Sequence, residues 1–130
     1  VAISKEIESY AVKDDAFGFN YTIEGHQFYA LTFPSENKTW EFDTLTGLWH
    51  ERESLNPMNM MPGQWLANAH ANFAGKELVG DLNTGNIYEL DLDAYTENST
   101  TMICKVVSAT QFDDYNRDSI GRFILWMIRE

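Results

Sequence analysis

The sequence predicts an all-β fold: antiparallel, propeller-like four-stranded units, about two blades, led in by a short N-terminal helix. Three observations predict it. Apolar and polar residues alternate with period two over residues 17–23 and 39–43, the mark of half-buried strands. Turn residues separate these runs at Glu24 and Gly25, at Pro34, at Asp43 to Gly47, at Ala74 and Gly75, and at Asn83 to Gly85. The units also repeat, since Trp40 and Tyr88 stand 48 residues apart and Gly25 and Gly75 stand 50 apart. Near-constant spacing of that size marks blades or arrays.

The elements follow in order. Ile3, Ile7 and Tyr10 or Ala11 fall at helical spacing and Ser4 can cap, which predicts a helix over residues 4–11. Residues 13–15 break it. Phe17, Phe19, Tyr21 and Ile23 then alternate with Gly18, Asn20 and Thr22 as a first strand, followed by an aromatic-rich strand over 28–33. Residues 39–43 put Trp40 and Phe42 on one face and Thr39, Glu41 and Asp43 on the other. Leu48, Trp49 and His50 begin the strand after the turn, completing a four-stranded meander. Trp40 and Phe42, with Tyr88 and Leu90 in the second unit, are the expected core residues.

Residues 55–64 hold Pro57, Pro62 and Gly63 and are expected to be an irregular link. Met58, Met60 and Met61 within it either fold back over the core edge or offer an adaptable surface to a partner. A second four-stranded unit is expected from strands over 65–73, 77–82, 86–92 and 102–107, with 96–101 as a polar loop. Residues 120–128 are almost continuously apolar and need cover, which makes Phe123, Leu125 and Trp126 candidate interface residues beside Met58, Met60 and Met61. The chain is thus read as a single domain or fragment: lead-in helix 1–15, first unit 16–55, link 56–64, second unit 65–108, terminal loop and strand 109–130.

Twenty acidic residues against nine basic ones give a net charge of -11, which repels phosphates and anionic lipid and argues against a nucleic-acid groove. There is no signal-peptide pattern and no apolar run long enough to span a bilayer, so a soluble chain is expected, and a start at Val1 suggests processing or a fragment. The single cysteine, Cys104, has no partner and is expected to be a buried thiol.

Chemical signatures are sparse. The segment from Asp81 imitates a calcium loop, but its glycine stands at position five and Leu92 occupies position twelve, where a bidentate glutamate belongs. His26, His50 and His70 lack metal-ligand spacing. GxSxG, CxxC, HExxH and phosphate-cradling loops are absent. Asp91 with Asp93, and Asp113 with Asp114, are carboxylate pairs of the kind a glycan hydrolase uses, though such pairs are commonly just solvated. No catalytic residue, cofactor or metal is assigned. The sequons at Asn20, Asn37 and Asn98 carry no weight without a secretory signal.

The strings TWEFD, TLTG and LWHER, followed by FAGKELVGD and GNIYELDLDAYTEN, resemble the packaged-DNA stabilisation proteins of short-tailed bacteriophages over roughly residues 2–95. The resemblance implies a non-catalytic virion protein, part of a tail hub that closes the portal and retains packaged DNA. Its partners would be other tail or portal-associated proteins and further copies of itself, with neither sequence-specific nucleic-acid binding nor a membrane. Two readings from other classes stand beside it: a kelch-like binding module for a peptide or glycan, with aromatics gathered on a concave face, and a carboxylate-dependent glycan hydrolase.

Overall fold

The computed structural model describes residues 3–105 and residue 107, and within them the chain is mostly β, in antiparallel sheets, with one short helix. The predicted terminal strand, with Phe123, Leu125 and Trp126, lies outside the described residues.

Helix α1 (Ser4–Ser9) is shorter than predicted and is not capped by Ser4. Ile3 occupies the N-cap, its carbonyl accepting from Ile7 N at 3.0 Å, and Ser4 is already helical. The helix stops because Tyr10 turns extended (φ −67°, ψ 135°). That places the Tyr10 ring edge-on to Phe33 at 5.1 Å and lets its hydroxyl accept from Trp40 Nε1 at 2.9 Å.

The first meander is as expected: β1 (Phe17–Ile23), β2 (His26–Phe33), β3 (Lys38–Asp43) and β4 (Leu48–Glu51) lie in that order, all antiparallel. Glu24 and Gly25, at φ 47° and 83°, make the two-residue turn whose twist suits a hairpin. A 3-10 turn (Pro34–Glu36) and a left-handed Asn37 join β2 to β3.

The faces of β3 are the reverse of the prediction. Thr39, Glu41 and Asp43 are buried, and Trp40 and Phe42 are only half-buried. Register fixes this: Tyr21 pairs with Phe28, Phe28 with Asp43, Ala30 with Glu41 and Glu41 with His50, so these side chains share the inner face. Trp40 and Phe42 share the outer face with Tyr29 and Trp49. Tyr10 packs on one end of the outer face, its ring edge-on to Phe33 and its hydroxyl accepting from Trp40 Nε1, so that face holds buried apolar surface of its own.

The predicted irregular link is a hairpin: β5 (Glu53–Leu55) pairs with β6 (Pro62–Gln64), with Pro62 opposite Leu55 at the strand end, where a missing N–H is tolerated. The second meander has three strands among the described residues, β7 (Ala67–Phe73), β8 (Lys76–Asp81) and β9 (Ile87–Glu89). Residues 102–105 are not a strand. The expected loop at 96–101 instead makes a small hairpin, β10 (Thr96–Glu97) and β11 (Thr100–Thr101), turned at Asn98 and Ser99 with positive φ. Cys104 is exposed, contrary to expectation.

The repeat also corrects the predicted offset. Lys38, Asp43, Thr46, Gly47 and Glu51 recur as Lys76, Asp81, Thr84, Gly85 and Glu89, 38 residues on, in the hairpins β3–β4 and β8–β9. Both lysines pair with the glutamate across the hairpin. Both aspartates cap the turn: Asp43 accepts from Leu45 N at 2.9 Å and Thr46 Oγ1 at 3.1 Å, and Asp81 from Asn83 N at 2.6 Å and Thr84 N at 2.8 Å. Gly47 and Gly85 take φ of 69° and 71°. The offset of 48 had matched Trp40 to Tyr88, yet Tyr88 and Leu90 pack on the shared core and Trp40 and Phe42 do not.

That core joins the meanders. Tyr21 and Ala30 from the first, Ala67 and Val79 from the second, and Trp65 between them are buried together, with Phe19, Phe28, Tyr88 and Leu90 against them. No closed or propeller sheet is present among the described residues.

Candidate functional site

The inner face of the first meander carries a charged centre that was not predicted. Glu41 is 2% exposed, held mid-strand on β3. A carboxylate there needs donors on every side. The Tyr21 hydroxyl donates to Oε2, His50 Nε2 lies 2.7 Å from Oε1, and Arg52 Nη1 reaches both oxygens at 3.2 and 3.1 Å. Arg52 also donates to the Tyr21 hydroxyl at 2.9 Å, and its guanidinium lies 4.1 Å from the Trp65 ring centroid. Burial pushes the Tyr21 hydroxyl well above the usual phenol range, the nearby Arg52 charge opposing only part of it. Tyr21 is therefore a donor to Glu41 at any ordinary pH.

Threonines close the rest of this face. Thr32 and Thr39 share a hydrogen bond of 2.9 Å, and Thr39 Oγ1 accepts from Trp65 N at 3.0 Å, tying the link to the sheet. Ser54 Oγ accepts from Leu66 N at 3.2 Å and donates to Glu97 at 2.9 Å. Burial holds the Glu97 carboxyl above its usual range, with the Ser54 hydrogen bond and Arg52 pulling the other way.

All three histidines are spent on carboxylates: His26 on Asp43 at 3.1 Å, His50 on Glu41, and His70 on Glu77. Burial raises Asp43, but the Leu45 N–H, His26 and Thr46 outweigh it and hold it below the usual range; Asn72 and His70 do the same for Glu77. Asp91, one of the paired carboxylates, caps a turn by accepting from Asp93 N at 2.9 Å.

Beside the charged centre is a cavity of about 230 Å³, walled by Tyr21, Phe28, Trp65 and Tyr88, with Arg52 and Glu97 at its polar side. On the opposite face of the first meander, Tyr29, Phe42 and Trp49 stand side by side across β2, β3 and β4, Trp49 lying 5.0 Å from Phe42 and 6.5 Å from Tyr29 between ring centroids. The stripe is partly exposed, with Tyr29 at 36% and Phe42 and Trp49 half-buried.

Of the predicted interface residues, Met58, Met60 and Met61 sit together at the β5–β6 tip and are exposed (93, 52 and 62%), so they do not fold back over the core. The alternation in 39–43 hid the charged centre because it made Glu41 look solvent-facing. A signal did exist: across a turn at 44–47, Glu41 must oppose His50 and lie beside Arg52, and three such groups on one face form a cluster.

Comparison with protein-family models, with curated proteins and with solved structures found no match for this chain.

Proposed function

We propose that this chain is a structural, non-catalytic module with propeller-like units, acting by protein–protein assembly in the tail hub of a short-tailed bacteriophage, where it helps close the portal and retain packaged DNA. The observation that carries the assembly reading is the Tyr29–Phe42–Trp49 stripe, three aromatic rings side by side on the outer face and partly exposed. Such surface is characteristic of contact sites. The interior suits a structural part: the buried carboxylate Glu41 is held by Tyr21, His50 and Arg52 from β1, β4 and the residue after it, and so ties the strands together. The phage assignment rests on the sequence resemblance, and the net charge of -11 suits a wall past which DNA slides without adhering.

Two measurements test it. Mass spectrometry of purified virions should find this chain among the structural proteins; its absence there overturns the tail reading. Light scattering at micromolar concentration should show an oligomer that Trp49→Glu dissociates, and a monomer throughout would remove assembly.

One observation favours a second reading as a binding module. The aromatic-walled cavity with Arg52 and Glu97 at its edge has the mixed apolar and polar lining of a small-ligand or side-chain site. Saturable binding of a peptide or glycan, lost on Tyr88→Ala, would place this reading first.

A further inference from the structure

We propose that the cavity beside the charged centre binds a small organic amine, its apolar body against the aromatic wall and its ammonium group towards Glu97 and Asp91. The proposal rests on the reading of that cavity as a small-ligand site and names the charge the site selects.

Size and wall set the apolar part. The cavity holds about 230 Å³, and Phe28, Val79, Tyr88 and Leu90 contribute to a mostly apolar wall. Pockets for drug-sized ligands begin at roughly 300 Å³, so the occupant is small, of the order of one ring with a short chain. Tyr88 is half-buried and its hydroxyl is engaged by the Asn86 side-chain amide at 3.0 Å, so it offers the cavity ring surface instead of a hydroxyl.

Charge sets the rest. The lining carries five carboxylates, Glu53, Asp81, Glu89, Asp91 and Glu97, against one cation, Arg52. That cation is committed elsewhere: its Nη1 reaches both Glu41 oxygens at 3.2 and 3.1 Å, and its guanidinium lies 4.1 Å from the Trp65 ring centroid. Lys76 offsets Glu89. Among the described residues, no Lys, Arg or His stands at ion-pair distance from Glu53, Asp81, Asp91 or Glu97. Past Ile23, Leu90 and Leu92 the cavity meets a second hollow, lined by Glu24, Glu89, Asp91 and Asp93 and by no basic residue. A cleft lined by one sign of charge between low-dielectric walls focuses the field and gathers the opposite ion. Here it gathers a cation and turns away carboxylates and phosphates. The aromatic wall acts in the same sense, since ring faces attract ammonium groups.

Glu97 couples the site to pH. It is half-buried, the Ser54 hydroxyl donates to its Oε1 at 2.9 Å, and burial holds its carboxyl above the usual range. An ammonium group beside it favours the ionised form, so binding releases a proton and tightens as pH rises.

The test titrates the full chain with phenethylamine, its neutral analogue phenethyl alcohol and the anion phenylacetate, each followed by amide chemical shifts. Phenethylamine is expected to bind at least about ten-fold more tightly than the alcohol. It should shift the amides of Tyr88, Leu90 and Glu97 and weaken in high salt, while phenylacetate leaves the spectrum unchanged. Glu97→Gln and Asp91→Asn keep the oxygens that accept from Ser54 Oγ and Asp93 N, and so leave the local structure in place. Each is expected to weaken the amine several-fold and to leave the alcohol as it was, and Glu97→Gln should also flatten part of the rise in amine affinity with pH. Equal binding of amine and alcohol would overturn the amine and leave the cavity a ligand site. Binding of none of the three would overturn both. Amine binding that neither substitution alters would put the cation elsewhere on the chain, and also overturns the proposal.

Discussion

The hairpins β3–β4 and β8–β9 share one frame and differ in what fills it. Each has a Lys–Glu pair across the strands, a turn-capping aspartate and a glycine at positive φ. On the inner face, however, Glu41, His50 and Arg52 of the first stand where Val79, Tyr88 and Leu90 stand in the second, each 38 residues on. The frame is local: it needs only D-x-x-T-G and a cross-strand ion pair, so it tolerates either interior. The filling is tertiary, charged where Tyr21 and Trp65 supply a donor and a ring for the guanidinium, apolar where the shared core closes over it.

The largest effect should come from unbalancing the charged filling. Arg52→Leu alone leaves Glu41 buried without its cation and is expected to cost about 3–5 kcal/mol in urea unfolding. Transplanting the second filling, Glu41→Val with His50→Tyr and Arg52→Leu, should recover most of that loss, since a buried ion pair is often no better than an apolar replacement. A triple variant as unstable as the single one would mean that the two hairpins are not interchangeable.

Next come the turns. Nothing lies within 4 Å of a side chain added at Gly47 or Gly85, so alanine there is penalised by backbone conformation only. Each is expected to cost about 1–2 kcal/mol, and equally in the two hairpins. Unequal losses would show that the frames are not equivalent.

Acidity separates the carboxylates further. Glu97 has a folded-state pKa raised by burial, so its ionisation opposes folding and stability falls as pH rises from its unfolded pKa through the raised value. Glu97→Gln should therefore raise the melting temperature at pH 7 and lose that advantage near pH 4. Asp43 and Glu77, with lowered values, act in the opposite sense: their contribution is present above their unfolded pKa and is lost as pH falls through the folded one. A melting temperature of Glu97→Gln that tracks the parent from pH 4 to 7 would refute the first assignment.

The smallest effect is expected at the cross-strand pairs. Lys38→Ala and Lys76→Ala should each change stability by no more than about 1 kcal/mol, and less in high salt, because both pairs are solvent-exposed.

Much of the first meander was legible because its signals are local: period-two alternation in β1, and turns at Gly25 and Gly47 that hold where they were expected. In the second meander the strands predicted over 65–73, 77–82 and 86–92 are found as β7, β8 and β9, while the predicted fourth strand at 102–107 has no regular structure over 102–105. Facing was not legible. Alternation in β3 says that two faces differ, and the apolar one is taken as inner by default; here Trp40 meets Tyr10 on the outer face, while Glu41 draws its donors from β1, β4 and the residue after it. The repeat was misread for the same reason, through apolar resemblance instead of the turn chemistry that sets the frame. The methionine tip was recognised as a candidate, but its exposure depended on a hairpin that the prolines seemed to forbid.

Trp65 has a consequence for how the chain folds. The first meander is made of sequence-local hairpins, which form quickly. Its inner face stays wet until residue 65 arrives, because the Trp65 amide is the donor to Thr39 and its ring is the lid on Arg52. Glu41 and Arg52 can thus meet while still hydrated and shed water only when the indole docks. A chain halted before residue 65 would hold four strands and an open seam, and Trp65 is the first residue to close it, ahead of Ala67, Val79, Tyr88 and Leu90.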